Sequence, residues 1–283
     1  MNLRTSLRAA LLALLVVCAP ASAGDRPTLV VGTYAYPQRD RAAAITPLAD
    51  YLARELDRQV EVRILPSPTG LVEAMHRGDV DVAVPNLDAY LRAHAAGLAI
   101  MGLPVPDVPA AQAQRYRAVI VSQRELTIER MANEGGALKL VLVGADSASG
   151  GFVPLSFLSR QGLPHTAFAE VSFAGSHAAA LAAVAHGKAD IAALAADVFD
   201  ANPSGLHEIW RSPVIPPGPL LCRISDRISC PQVAALLRVA HERDASVMAG
   251  LREGWPEFGD AMRLVEPEAA QLEAIRRDWN SMR

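Results

Sequence analysis

A serine- and glycine-rich segment, residues 146–151 (DSASGG), has the composition of an anion-binding loop. It follows an apolar stretch typical of a buried strand and precedes a stretch with helical periodicity. Backbone N–H groups and the hydroxyls of Ser147 and Ser149 would converge there, at the positive end of a helix dipole. By itself the segment is most typical of an ordinary helix cap with a flexible glycine pair, and contact with a small oxyanion is the alternative.

A second polar group follows later elements of the same kind. Ser176 and His177 open the next predicted helix, so a second helix N-terminus would face the same place. Asp197 lies just beyond an apolar strand predicted at residues 191–194. Each of these residues is also a common helix cap or a solvated neighbour of one, and the residues alone leave the choice open.

Ser149, His177 and Asp197 have the residue types of a Ser-His-Asp catalytic triad, which is the rival interpretation. The chain has no Gly-x-Ser-x-Gly elbow, and these three residue types occur together in most proteins. Both observations disfavour an enzyme of this class. A structural or protein-interaction module is a third alternative, and it would close on no small molecule.

The elements that must position these residues alternate between strand and helix periodicity, as in βα units. A first β-α-β-α-β half is predicted at residues 28–32, 42–56, 60–65, 70–77 and 80–84. A second is predicted at residues 140–144, 152–160, 169–173, 177–185 and 191–194. Further strands are expected at residues 116–122 and 220–224, and helices at residues 231–242 and 267–282. The predicted fold class is α/β with two lobes and a ligand cleft between them.

Proline-rich passages mark where the chain would cross between the lobes. The predicted division is a signal peptide (1–23), a first lobe (24–115), a hinge (116–120), a second lobe (121–212), a second hinge segment (213–219) and the completion of the first lobe with C-terminal helices (220–283).

Residues 1–23 have the three parts of a secretory signal. Arg4 and Arg8 precede an apolar run at residues 9–17, and a small-residue pattern predicts cleavage between Ala23 and Gly24. We therefore expect a periplasmic protein. Cys18 raises the alternative of a lipoprotein, which the preceding valine disfavours.

The charge balance bears on the partners. The chain has 27 basic and 30 acidic residues, a formal charge of −3, and cleavage would remove two arginines to give −5. This balance argues against nucleic acid as a partner, and it requires that an anionic ligand be held by local donors. We expect a monomer without a cofactor or a metal.

Two cysteines, Cys222 and Cys230, remain in the predicted mature chain. A short structural disulfide and two separate thiols are both open, because the predicted compartment permits disulfides. A metal site is the least favoured alternative, since the spacing of the cysteines is wider than in zinc sites.

Nearly the whole mature chain resembles the phosphate, phosphite and phosphonate substrate-binding proteins of ABC transporters. The segments that carry the resemblance are VGTYAYP (31–37), PLADYLARELDRQVEV (47–62), DVAVPNLDAY (81–90), YRAVIV (116–121), DSASGGFVPLSFLSRQGL (146–163), FAGSHAAALAAVAHGKADIAAL (173–194) and SPVIPPGPLLCR (212–223). The resemblance implies a type II periplasmic binding protein fold with a two-segment hinge, and an oxyanion captured for a permease or a periplasmic sensor domain. Arsenite is an alternative oxyanion.

The resemblance also implies a set of ligand contacts. His177 would donate a hydrogen bond to the ligand, with partial protonation near neutral pH adding attraction. Asp197 would accept one from a protonated ligand and so reject sulfate. The implied ligand-binding residues are Ser147, Ala148, Ser149, Ser176, His177, Asp197 and Tyr90.

The chain departs from the family at two places. Ala148 replaces the threonine of a Ser-Thr-Ser loop, and residues 66–70 offer only hydroxyls where the family has an aromatic residue. Tyr34, Tyr36 and Tyr116 are further aromatic candidates, for which we expect core or hinge packing rather than ligand contact.

Overall fold

The fold is seen in a computed structural model, which describes residues 27–37, 39–113, 115–203 and 205–280. The predicted signal peptide and Cys18 lie outside the described residues. Among the helices that are described, none is both long enough and apolar enough to cross a membrane.

The strands and helices alternate along most of the chain, as the periodicity predicts. The strands are β1 (Leu29–Tyr34), β2 (Val60–Leu65), β3 (Val82–Ala83), β4 (Ile100–Gly102), β5 (Val105–Pro106), β6 (Ala118–Ser122), β7 (Lys139–Leu142), β8 (Glu170–Phe173), β9 (Ile191–Ala195), β10 (His207–Arg211), β11 (Leu221–Arg223) and β12 (Leu264–Val265). The α-helices are α1 (Arg41–Leu56), α2 (Pro68–Arg77), α3 (Leu87–Ala95), α4 (Ala110–Ala113), α5 (Ile128–Glu134), α6 (Val153–Arg160), α7 (His177–Ala185), α8 (Ala196–Ala201), α9 (Cys230–Arg243), α10 (Ala245–Gly254) and α11 (Ala269–Asn280).

Two five-stranded sheets form the centres of two lobes. The first lobe has the strand order β2-β1-β3-β11-β4, and the second has β10-β6-β9-β7-β8. In each sheet three parallel strands are followed by an antiparallel strand, β11 beside β3 and β6 beside β9. The two halves predicted from the periodicity therefore share one topology, and the α/β fold class is confirmed.

Helix packing completes the first lobe. The buried face of α1, which includes Ile45, Leu48 and Leu52, packs in one cluster with the buried residues of α9 and α10. The approach of α1 to α10 requires a glycine at Gly250, because a Cβ atom there would lie 2.4 Å from the Ala44 carbonyl oxygen. Neither α3 nor α10 is among the helices expected from periodicity.

The chain crosses from the first sheet to the second before β6 and returns between β10 and β11. The predicted hinge at residues 116–120 is too long, because Ala118 is already paired with Ala195 in the second sheet. The predicted second hinge segment, residues 213–219, lies entirely within the return.

Cys222 and Cys230 form a disulfide, with their Cα atoms 5.6 Å apart. Cys222 belongs to β11 in the first sheet, and Cys230 is the first residue of α9. Both are buried in the core of the first lobe. The disulfide therefore links the sheet to the helix that covers it. Of the alternatives left open by the sequence, the short structural disulfide is the one that forms.

We expect the double substitution Cys222→Ala and Cys230→Ala to lower the free energy of unfolding by about 2.5 kcal/mol, because a short closed loop no longer restricts the unfolded chain. Urea denaturation of the oxidised wild type and the variant measures the difference. Reduced wild type is the matched control and should unfold close to the variant. Equal midpoints for all three samples would contradict a structural role.

Candidate ligand-binding cleft

A cleft of about 610 Å³ lies between the two lobes. The loops that follow the parallel strands of both sheets line it, because the carboxyl ends of these strands point towards the gap. The polar and aromatic side chains in its lining are Tyr34, Tyr36, Arg39, Arg41, Ser67, Asn86, Tyr116, Asp146, Ser147, His177, Asp197 and Glu257.

The serine-rich segment forms the wall from the second lobe. Residues Ala148–Phe152 form a π-helical turn that runs directly into α6, so the helix begins at Ala148 and not at the predicted residue 152. Ser147 caps it, since its hydroxyl accepts a hydrogen bond from the amide of Gly150. Ala148 and Ser149 therefore occupy the first helical positions, where amides have no partner within the helix.

Two glycines permit this tight turn. A Cβ atom at Gly150 would lie 2.3 Å from Cγ2 of Val143, and one at Gly151 would lie 2.1 Å from the carbonyl oxygen of Gly144. No side chain fits at either position without moving the segment after β7. The glycine pair thus brings the helix N-terminus against the end of the strand, and it is more than a source of flexibility.

His177 lines the cleft from the start of α7 and is buried. Its Nδ1 atom accepts a hydrogen bond from the amide of Ala195 at 3.0 Å. The ring proton of the neutral imidazole is therefore on Nε2, which is left to donate. Burial lowers the pKa of His177 to about 4. The expectation of partial protonation near neutral pH is wrong, because burial makes the charged form unfavourable.

The hydroxyls of Ser176 and Ser149 do not face the cleft. Ser176 caps α7 by accepting from the amide of Ala179 at 3.1 Å. The Ser149 Oγ atom is buried and makes no hydrogen bond of good geometry within the described part of the chain. It lies beside the Tyr116 phenol, whose pKa is raised by burial, and it partly opposes that rise. Ser176 is therefore a helix cap, whereas the Ser149 hydroxyl is buried within the wall.

Asp197 is exposed at the mouth of the cleft, in the first turn of α8. The catalytic triad considered above is not assembled, because the Nδ1 atom of His177 accepts from a backbone amide and cannot donate to an aspartate. Among the described residues, no group of three or more His, Cys, Asp or Glu side chains is placed to hold a metal ion.

Tyr90 does not reach the cleft, contrary to the prediction. It lies on α3 four residues beyond Asn86, one helical turn deeper into the lobe. Its ring packs in the apolar core of that side, edge-on to His94 at a centroid distance of 6.4 Å. Asn86, the residue that caps the N-terminus of α3, lines the cleft instead.

The wall from the first lobe is built around Arg41, which the sequence analysis does not single out. Its guanidinium carbon lies 4.2 Å from the Tyr34 ring centroid, 4.9 Å from that of Tyr36 and 4.8 Å from that of Trp255. The side chain is buried, and its Nη1 atom has no hydrogen-bond partner. Cation–π contacts therefore hold a fixed positive charge at the cleft.

Glu257 lies in the same wall and is also buried. Burial raises the pKa of Glu257, while the positive charge of Arg41 opposes that shift. Burial likewise raises the pKa values of Tyr34, Tyr36 and Tyr116. These tyrosines line the cleft, so the expectation of packing alone is incomplete. This part of the wall therefore combines aromatic rings with one buried cation and one buried acid.

Direct hydrogen bonds join the two lobes beside the cleft. The Asp146 carboxylate of the second lobe accepts from both the amide and the hydroxyl of Thr69, each at 3.2 Å. Asn86 donates to the Asp146 carbonyl at 2.8 Å, and Arg92 donates to the Ala145 carbonyl at 3.1 Å. The hydroxyl of Thr69, in the unusual residues 66–70, therefore bonds the other lobe. Ser67 of the same segment caps α2.

Comparison with known proteins identifies the architecture. The family model described as "ABC transporter, phosphonate, periplasmic substrate-binding protein" matches residues 32–252. The chain belongs to this family. Its members are substrate-binding components of periplasmic import systems, and the family assignment made from the sequence is confirmed.

Individual relatives agree with the family. The chain is 26% identical over 246 residues to the phosphate-import protein PhnD of Mycolicibacterium smegmatis, a match that covers 81% of this chain and 75% of that protein. The structure of PhnD1 from Prochlorococcus marinus in complex with methylphosphonate is similar, with a TM-score of 0.68, 18% identity, and coverage of 90% of this chain and 97% of that one.

XAC2383 from Xanthomonas citri, in a structure bound to ATP, has a TM-score of 0.72 at 18% identity and covers 90% of this chain and 98% of its own. At these identities the structural likeness establishes the fold. The type II periplasmic binding protein fold expected from the sequence is thereby confirmed.

The buried imidazole makes a pH-dependent contribution to stability. Burial lowers the pKa of His177 from 6.5 to about 4, so between those values the unfolded chain binds a proton that the native protein does not. This contribution is present above the unfolded pKa and is lost as the pH falls towards the folded one. We expect wild type to lose up to about 3 kcal/mol more than His177→Asn over that interval.

Urea denaturation at several pH values between neutral and about 4 measures this difference. The exposed His186 supplies the control, since His186→Asn should follow wild type throughout. Parallel pH profiles for wild type and His177→Asn would show that the imidazole is not held neutral.

Proposed function

We propose that the protein captures a small oxyanion of the phosphonate, phosphite or phosphate class in this cleft and delivers it to an ABC permease. The relative from Mycolicibacterium smegmatis is named for phosphate import, and the Prochlorococcus marinus structure contains methylphosphonate. The family supports a role as a carrier protein, and the geometry of the cleft supports a small anion as its ligand.

One observation carries this proposal: buried hydrogen-bond donors from both lobes converge on the cleft. The second lobe contributes the amides at the start of the helix at Ala148 and the Nε2 atom of His177. The first lobe contributes Arg41, which lines the cleft and whose Nη1 atom is buried without a hydrogen-bond partner among the described residues. Since the chain as a whole is acidic, this local cluster of donors is what would attract an anion.

The same arrangement assigns roles to the candidate residues. Ser147 and Ala148 line the oxyanion site, and His177 donates a neutral hydrogen bond to it. Ser176 caps α7, Ser149 contributes its backbone amide, and Asp197 stands at the entrance. Arg41 compensates for the hydroxyl that is missing at Ala148, because a charged donor is worth more to an anion than a neutral one.

Closure of the lobes would couple binding to delivery. Asp146 of the second lobe meets Thr69 at the N-terminus of α2, and Asn86 and Arg92 add donors to the same loop. A ligand held by both lobes favours the arrangement in which these bonds are formed. We propose that the monomeric, secreted protein presents this closed shape to the permease, with the signal peptide cleaved after Ala23.

Isothermal titration calorimetry with methylphosphonate, phosphite, phosphate and arsenite tests the function. We expect wild type to bind at least one phosphorus oxyanion, and His177→Ala to weaken that binding about tenfold or more, the cost of losing a hydrogen bond to a charged group. His186→Ala, an exposed histidine elsewhere on the second lobe, is the matched control and should bind like wild type.

Two results would contradict the proposal. Absence of binding for every phosphorus oxyanion would remove the assigned ligand class. Equal affinities for wild type and His177→Ala would move the site away from the start of α7. Thermal unfolding of each variant shows whether the fold is intact.

A further inference from the structure

Arg41 and Glu257 are two opposite charges in one pocket wall that do not pair with each other. Arg41 is 3% exposed and Glu257 is 8% exposed. Within the part of the chain that the structure describes, neither takes part in a salt bridge. Arg41 donates through Nε to the carbonyl of Gly254 at 3.2 Å, and its Nη1 atom has no partner.

Burying Arg41 and Glu257 is energetically costly, because neither charge has a salt-bridge partner in the described part of the chain. Buried charges are almost always paired, because an unpaired charge loses its hydration without compensation. The rings of Tyr34, Tyr36 and Trp255 prevent Arg41 from turning away, and Glu257 is fixed in the 3-10 turn Pro256–Phe258. A ligand that accepts from Arg41 and donates to Glu257 would provide a partner for both residues.

We propose that Arg41 and Glu257 together recognise a protonated oxyanion, with Arg41 donating to a charged oxygen and Glu257 accepting the hydrogen of a P–OH group. This inference rests on the proposed function and names the feature of the ligand that is read. Phosphate at neutral pH retains at least one hydrogen, whereas sulfate has none. A sulfate oxygen placed against the Glu257 carboxylate would be repelled.

Under this proposal Glu257, and not Asp197, discriminates between phosphate and sulfate. Asp197 is exposed, so water screens its effect on a ligand, whereas Glu257 acts where water is largely excluded. The charged and titratable groups that influence Glu257 include Arg41, Arg39 and Asp197, and Tyr116 lies close enough to be influenced by it. A buried carboxylate at Glu257 therefore discriminates between protonated and unprotonated oxyanions more strongly than the exposed carboxylate of Asp197 at the cleft entrance.

The experiment measures dissociation constants for two isosteric pairs, phosphate with sulfate and methylphosphonate with methanesulfonate, by calorimetry at neutral pH. For wild type we expect a strong preference for the phosphorus member of each pair. Glu257→Gln can donate a hydrogen bond to an unprotonated oxygen. It should therefore reduce the ratio of the two dissociation constants in each pair about tenfold or more. Glu129→Gln, an exposed acid in the first turn of α5 that does not line the cleft, is the matched control and should keep the wild-type preference.

Arg41→Lys separates charge from selectivity. It retains the positive charge but loses the planar fork of donors, so both members of a pair should bind about tenfold more weakly, with their ratio preserved. Thermal unfolding checks that each variant is folded. Glu257→Asp, which withdraws the acceptor by one methylene, is the second variant and should also narrow the preference.

The outcomes separate this inference from the proposed function. If wild type binds no phosphorus oxyanion, the proposed function fails. If wild type binds methylphosphonate but Glu257→Gln and Glu257→Asp keep the full preference, the function stands and this inference is overturned. Loss of the preference in Asp197→Asn alone would also overturn it, because the exposed acid would then be the selector.

Discussion

An anion that leaves water must find a donor for each of its charged oxygens, and this requirement explains the architecture of the cleft. The two lobes repeat one strand order, so the loops after β1, β2 and β3 face those after β7, β8 and β9. The start of the helix at Ala148 can face the cleft because Gly150 and Gly151 leave no side chain against the strand end. Backbone geometry therefore provides one part of the proposed site, the helix N-terminus.

The first lobe meets the same requirement with side chains. The N-terminus of α2 is already occupied by a carboxylate, because Asp146 accepts from both donors of Thr69. The positive charge on this side therefore comes from Arg41, which aromatic rings hold in place without neutralising it. In the proposed site the second lobe supplies amides and a neutral imidazole, and the first lobe supplies a cation. The hydrogen bonds of Asp146 join the two lobes.

Much of the fold follows from local sequence, and less of the site does. The bounds of β2 and α7 agree with the periodicity. Of the residues predicted to contact a ligand, Ser147, Ala148, His177 and Asp197 line the cleft. Tyr90 does not, because one helical turn separates it from Asn86, and periodicity places neither residue relative to the opposite lobe. Arg41 reads as the first polar residue of a helix, and Glu257 lies far from it in sequence. Only tertiary packing brings them together, although two arginines, Arg39 and Arg41, soon after Tyr34 and Tyr36 are a signal that could have been used.

The central claim is that a phosphorus oxyanion is bound by the amides at the start of the helix that begins at Ala148. Titration of isotopically labelled protein with methylphosphonate, followed by amide NMR, tests this claim directly. The account predicts large, saturable shifts of the Ala148 and Ser149 amide protons, in the direction of stronger hydrogen bonding, with the Gly136 amide of the second lobe unchanged. Saturable binding that leaves the Ala148 and Ser149 amides unshifted would contradict it.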